Sequence, residues 1–417
     1  MGPLTQRDRQ RTVSDGDLLE LRSALALAGV RGLGPAHARL IIDRAGSATA
    51  AVAAVRRGEL LTFPECAEGP LRPIGPVLTR RLRDLHLPPA HRIEALARND
   101  IRLISYRGPE YPSRLEHLFA PPIVLYLTGP RDMGSRRCVS IVGTRTATRY
   151  GREIARSIAS GLATAGCMVV SGMAKGIDGQ AHRGALDVRG RTAGVLGSGF
   201  NYEYPRENAD LYRSMRRTGL LVSEFAPAVR PSPGLFPRRN RIIAALGTAL
   251  VVVQAGHRSG AQNTVNHALE IGREVFAVPG PVGPEASAGV NQMLQDGAGL
   301  ATSADDVLAA LGWAEPVCAG VDGRPGPESP ARARAGDDSP AVYGPGASAD
   351  DAPVLEVLRD GPADADRLAS RVGLGVASIL ARLGRLELDG VVRGLPGGRY
   401  ELRTPLERVR PGEGSGR

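Results

Sequence analysis

Glycines, small hydroxyl residues and single cations fall together at three places in this 417-residue chain. The first is Gly143-Thr144-Arg145 with Thr148, and the second is Ser171-Gly172 running on to Lys175-Gly176. The third is Gly256 to Gly260, containing Ser259, with Asn263 and Thr264 just beyond it. A fourth group, Arg238-Arg239-Asn240-Arg241, crowds three guanidinium groups into four positions. These are the parts needed to hold an anion: tight turns and helix starts expose backbone N–H groups, hydroxyls donate further hydrogen bonds, and Arg and Lys bring full charge. Phosphate suits the combination best. Glycines follow the strands of any α/β domain, but two turns that each carry a cation favour an anion site. One count bears on Lys175: of 53 lysines and arginines it is the single lysine. Where arginine has replaced lysine almost everywhere, a surviving compact ammonium marks a position that a planar fork does not fill, against the plain alternative of chance survival.

Parallel strands must position these residues. Cys138 to Val142 is a short apolar run ending at Gly143, and Ile154, Ile158 and Leu162 then recur at helical spacing until Gly166. Met168-Val169-Val170 is a second buried strand, closing on Ser171-Gly172. Strand, helix and strand make a βαβ unit, whose glycine turns lie at the carboxyl ends of the strands, where open α/β sheets take ligands. Further strands are expected at IRLISY, PIVLYLTG, TAGVLGSGF, LLVSEFAP, ALVVVQA and EVFAVPG, with helices between them. The Gly197-Ser198-Gly199 turn starts like a dinucleotide fingerprint but has Tyr202 in place of the third glycine, so no nicotinamide cofactor is expected.

The expected organisation is an α/β chain in five parts. Residues 1–100 form an N-terminal helical domain. Within it, Gly32-Leu33-Gly34 fits either a helix-hairpin-helix turn facing DNA phosphate or any tight interhelical turn. Residues 101–315 form the domain with the parallel sheet, and 316–351, rich in Pro, Gly, Ala and Ser, a flexible linker. Residues 352–403 carry three helices and a two-stranded ribbon, the winged-helix pattern, and 404–417 an unstructured tail. The third of those helices mixes Arg382 and Arg385 with Glu387 and Asp389, so docking on DNA and docking on protein both stay open.

Composition narrows the partners. A formal net charge of +10 points to nucleic acid or a membrane surface, and no apolar run approaches the ~20 residues of a membrane span. The N-terminus has no signal-peptide core, which makes the cytoplasm the expected location. Cys66, Cys138, Cys167 and Cys318 have no C-x-x-C spacing, and neither disulfide nor metal is expected of them. Aromatic residues make up only 4%, so backbone and charge contacts are expected to dominate over base stacking.

The run SIVGTR, SGMAKGID, AH..AL, FPRRNRIIA, SGAQNT and GREVFAVPG, in that order over roughly 200 residues, resembles the DNA-processing protein A (DprA/Smf) family. The resemblance implies an extended Rossmann-like sheet, flanked by an N-terminal SAM- or helix-hairpin-helix-like domain and a C-terminal winged helix. It further implies a non-enzymatic homodimer that binds single-stranded DNA in a basic pocket and loads the RecA recombinase in natural transformation, with Arg145, Lys175, Arg239 and Arg241 at pocket positions. Together with the residues read directly, the candidate DNA-binding set is Gly143, Thr144, Arg145, Thr148, Lys175, Gly176, Arg238, Arg239, Asn240, Arg241, Ser259, Gly260, Asn263 and Thr264. The alternative is a nucleotide hydrolase resembling the phosphoribohydrolases, with Asp178 and Glu224 as candidate acids. The one Pro-Gly-Gly, Pro396 to Gly398, lies in the expected wing and lacks the rest of that family's loop.

Overall fold

Four- to six-residue apolar runs punctuated by glycine build the centre of the molecule, as their length and flanks require. The computed structural model describes residues 14–61, 71, 73–130, 133–134, 137–257, 259–313, 351–359, 361, 363–388, 391–395 and 399–402. The linker expected over 316–351 (Asp351 apart), the tail over 404–417, Arg258, and the Pro-Gly-Gly at 396–398 lie outside the described residues. The chain divides into two compact units, Met1–Ala319 and Gly320–Arg417.

The first unit opens with α1 (Asp15–Ala28), α2 (Pro35–Ala45), α3 (Ala48–Arg56), α4 (Pro76–Arg83) and α5 (Ala90–Arg98). Gly32, at φ 98°, makes the turn between α1 and α2. Then follow β1 (Arg102–Ser105), α6 (Ser113–Glu116), β2 (Val124–Thr128), β3 (Cys138–Val142), α7 (Arg149–Thr164), β4 (Met168–Ser171), α8 (Ile177–Asp187) and β5 (Arg191–Leu196). A second half adds α9 (Ala209–Thr218), β6 (Leu220–Ser223), α10 (Leu235–Leu246), β7 (Ala249–Val252), α11 (Ala261–Glu270), β8 (Glu274–Ala277), α12 (Glu285–Gln295), β9 (Gly299–Leu300) and α13 (Ala304–Ala310).

All nine strands join one sheet in the order β1-β2-β6-β5-β4-β3-β7-β8-β9. The seven strands from β6 to β9 are parallel, whereas β1 and β2 run antiparallel at one edge. The two-residue β9 has no apolar run to announce it, and only its pairing with Phe276 and Ala277 makes it a strand. From β3 the chain winds outward through β4 and β5 to β6, then returns to lay β7 on the other side of β3. That reversal is the topological switch point, where crevices open beyond the strand ends.

Side chains alternate across the central strands, as a pleated sheet demands. Val139 and Ile141 of β3, with Val251 of β7, pack on one face under α7, α8 and α13. Val142, Leu250 and Val252 pack on the other, under α10, α11 and α12. That second core runs on without a break into Leu27, Ile41 and Val55 of the N-terminal helices, which cover the antiparallel edge. At about 1.5–3 kcal/mol for each fully buried Val, Leu or Ile, the central strands hold the loops at their ends in fixed positions. No described helix is long and apolar enough to cross a membrane.

The second unit has α14 (Ala352–Arg359), β10 (Ala363–Asp364), α15 (Ala365–Val372), α16 (Val376–Leu388), β11 (Val392–Leu395) and β12 (Arg399–Leu402), its strands ordered β10-β12-β11. Leu355, Leu368, Ile379, Leu383 and Val392 form its core. This is a winged helix with one more strand, β10, than the expected ribbon. On α16, Arg385 pairs with Asp351, while Val376 and Leu380, one turn apart, are exposed.

Candidate functional site

Three loops meet at the carboxyl rim of β3, β4 and β7. The turn after β3 is bolted to the end of β7: Thr144 N–H donates to the Gln254 carbonyl at 2.7 Å, and Thr148 N–H to Gln254 Oε1 at 2.9 Å. Thr148 caps α7 by accepting from Gly151 N–H at 3.1 Å. The turn after β4 crosses that loop, with Ile177 N–H donating to the Thr144 carbonyl at 3.2 Å. Gly176, at φ 76° and ψ −124°, makes this crossing possible, because a Cβ there would strike the Thr144 and Arg145 carbonyls.

Above the crossing stand the cations. Arg145 is exposed, and its guanidinium lies over the Phe236 ring at 5.4 Å. Phe236 in turn packs against Tyr204, ring centroids 5.5 Å apart. Lys175, half exposed, pairs with Glu207, and that pairing holds the Glu207 carboxyl below its ordinary range. Arg238 is exposed over the Phe225 ring at 5.5 Å. A cavity of about 720 Å3 opens beside Tyr204, lined also by Phe200, Asn201, Arg206, Arg216 and Pro231.

Several residues expected at the anion site do other work. Arg239 is 3% exposed, and its Nη1 donates to the carbonyls of Gly172 and Val195, at the ends of β4 and β5. Arg241 pairs with Glu224 at 2.6 Å and donates to the Ala120 carbonyl at 3.0 Å, fastening α10 to the chain before β2. The expectation that both line the phosphate track is therefore corrected. Cations at the start of α10 face the positive end of its dipole, and protein carbonyls and carboxylates neutralise these two. Ser171 is likewise not a surface donor: it is fully buried and its hydroxyl donates to the Ile141 carbonyl at 2.6 Å. The amides of Thr144 and Thr148 go to Gln254, and that of Thr146 to Thr144 Oγ1.

On the far side of β7, Asn240 Nδ2 donates to Asn263 Oδ1 at 3.2 Å, which joins α10 to α11. Thr264 is buried, Gly260 is exposed, and Ser259 Oγ accepts from Ala261 N–H at 3.3 Å. Of the expected set, then, the structure gathers Gly143, Thr144, Arg145, Thr148, Lys175 and Gly176 at one rim. Arg238 is exposed on the first turns of α10, whose Phe236 Arg145 covers, and Arg239 lies beneath that rim.

Residue types alone did not reveal Tyr204, Arg206 and Glu207, nor that Phe236 meets Tyr204. The scarcity of aromatics had argued against stacking, yet two of the few stand together beside Arg145. The available signal was their placement in FPRRN, at the start of α10, and in YPREN, just before α9. The acids of the hydrolase reading are both committed. Asp178 is buried, and Glu224 is held by Arg241. Burial pushes the Asp178 carboxyl up, against the pull of Arg239 and the Ala174 N–H. Among the described residues no cluster of His, Cys, Asp and Glu could hold a metal ion. Cys138 and Cys167 are buried thiols outside any disulfide, and Cys138 Sγ accepts from Arg114 Nη1 at 3.6 Å.

Comparison with known proteins agrees with the motif order. Residues 102–312 match the family model described as DNA recombination-mediator protein A, and 331–398 match a DprA winged helix domain. A putative DNA processing protein DprA of Mycobacterium tuberculosis is 39% identical over 313 residues, covering 72% of this chain and 76% of that protein. Protein Smf of Escherichia coli is 37% identical over 298 residues, covering 70% and 75%. The X-ray structure of DNA processing protein A from Streptococcus pneumoniae superposes with a TM-score of 0.57 at 28% identity, covering 70% of this chain and 96% of that one.

Proposed function

The chain belongs to the DNA recombination-mediator protein A (DprA/Smf) family, and from that premise we propose that it binds single-stranded DNA at the β3–β4–β7 rim without catalysing a reaction on it. In this reading it acts in the cytoplasm as a homodimer, protects incoming strands and loads a RecA-type recombinase during transformation. One observation carries the site assignment: Arg145 and Lys175, from two different loops, stand exposed at one rim whose turns cross at Gly176. Arg145 and Lys175 meet phosphates, and Arg238 adds charge from α10. The Phe236–Tyr204 pair supplies the apolar surface an unpaired strand can lie on and a duplex cannot. Asp178 and Glu224, each opposed by an arginine, are poorly placed for hydrolysis.

Salt-titrated binding to single- and double-stranded DNA tests this. Arg145→Ala and Lys175→Ala should each weaken single-strand binding and reduce the slope of log affinity against log salt by about one charge. Unchanged slopes in both variants would remove the phosphate role.

The Lys175–Glu207 pair has its own consequence. A strand that engages Lys175 must separate it from Glu207, so Glu207→Gln should raise single-strand affinity by about threefold at low salt, with the gain fading as salt rises. Equal or weaker binding by the variant would mean that Lys175 keeps its carboxylate in the complex.

A further inference from the structure

We infer that Arg239 is the positioning residue of this rim: it never touches the DNA and instead fixes the spacing of the loops that do. The inference rests on the single-strand-binding reading above. Arg239 leaves the second turn of α10 and ends beneath the crossing of the β3 and β4 loops. Its Nη1 donates to two carbonyls at the ends of neighbouring strands, Gly172 just beyond β4 and Val195 one residue before the end of β5, and its Nε donates to Asn240 Oδ1 at 3.2 Å. Asn240 passes the link on to Asn263 of α11. One planar fork thus spans β4, β5 and α10, and through its neighbour α11, which a lysine ammonium, a point charge without the planar fork, does not reproduce.

Asp178, in the first turn of α8, is the opposing charge. Both groups close over Gly172, where a Cβ would lie 2.5 Å from Arg239 Nη1 and 2.6 Å from Asp178 Oδ2. The same loop is gripped from its other side. Asn208, at the start of α9, donates to the Met173 and Ala174 carbonyls at 3.1 and 3.0 Å, and Ala174 N–H donates to Asp178 at 3.4 Å. Met173 is held at φ 57°, a conformation a free loop would abandon. Lys175 and Gly176 follow directly, so their place beside Arg145 depends on this buried clamp. A guanidinium this buried, its Nη1 and Nε donating to protein oxygens, has no reach to solvent phosphate.

The test separates a positioning residue from a ligand by salt dependence. In Arg239→Met, single-strand affinity should fall roughly tenfold while the salt slope stays that of the native protein, because no phosphate contact is lost. Arg239→Lys should not restore affinity. Because Arg239→Met orphans the buried Asp178, the pair Asp178→Asn/Arg239→Met removes both charges and should fold, bind weakly and keep the native slope. Hydrogen exchange of the 172–177 amides, read without DNA, should speed up in every one of these variants. A slope reduced by one charge, or native affinity in folded Arg239→Met, overturns the assignment. Exchange unchanged over 172–177 overturns it too, whereas faster exchange in a protein that never binds single strands would leave the clamp standing and sink the binding reading alone.

Discussion

Gly176→Val is expected to destabilise the first unit by roughly 2–6 kcal/mol, the sum of forbidden backbone and overpacking. At φ 76° and ψ −124° the residue sits where a β-branched side chain is excluded. The atoms in the way are the main-chain carbonyls of Thr144 and Arg145, not the ends of flexible side chains. Those carbonyls have little room to retreat, because Thr144 is tied through its own N–H to Gln254 and through its carbonyl to Ile177. For a unit of this size the cost corresponds to a melting temperature lower by roughly 3–10 °C. Whatever folds should bind single strands poorly, since the two cation-bearing loops can no longer cross. A melting temperature within a degree or two of native, with native binding, would show that the crossing relaxes freely.

His182 should give the protein a strong acid sensitivity. It is fully buried in α8, and its Nδ1 lies 2.6 Å from Thr192 Oγ1. That hydroxyl donates onward to the Val169 carbonyl at 2.9 Å, so it accepts from Nδ1–H and the imidazole is the Nδ1-protonated tautomer. Nε2 is buried and faces no hydrogen-bond partner, and a proton arriving there would find no acceptor. Burial, with Arg183 and Arg239 nearby, pulls the pKa from an ordinary 6.5 down to about 3. The unfolded chain therefore binds the proton that the folded chain refuses. Stability is complete above about pH 6.5 and is lost at roughly 1.4 kcal/mol per pH unit as the pH falls toward 3. Urea unfolding between pH 7 and 5 should show this slope in the native protein, and a shallower one in His182→Gln. Parallel pH profiles for the two proteins would mean that His182 does not set it.

Amino-acid order by itself determined the central strands, though not the short β9 and β10. Cys138–Val142 and Met168–Ser171 are apolar runs stopped at glycine, Ala249–Val252 lies within an apolar run that reaches Val253, and hydrophobic burial with glycine turns leaves such runs few alternatives. The rim, the cations Arg145 and Lys175, and the family's motif order follow from that local chemistry. What each arginine does was decided only in three dimensions. Arg238, Arg239 and Arg241 are indistinguishable as letters, yet one faces solvent over Phe225, one is sealed beneath Gly172 and one is locked to Glu224. Helical periodicity turns neighbours in sequence toward different surroundings, and the carbonyls, rings and carboxylates that claim them come from strands and loops far away in the chain. For the same reason Phe236 and Tyr204 meet only when β3, β5 and α10 are assembled. Composition could register that aromatics are few, but not that two of them share the rim.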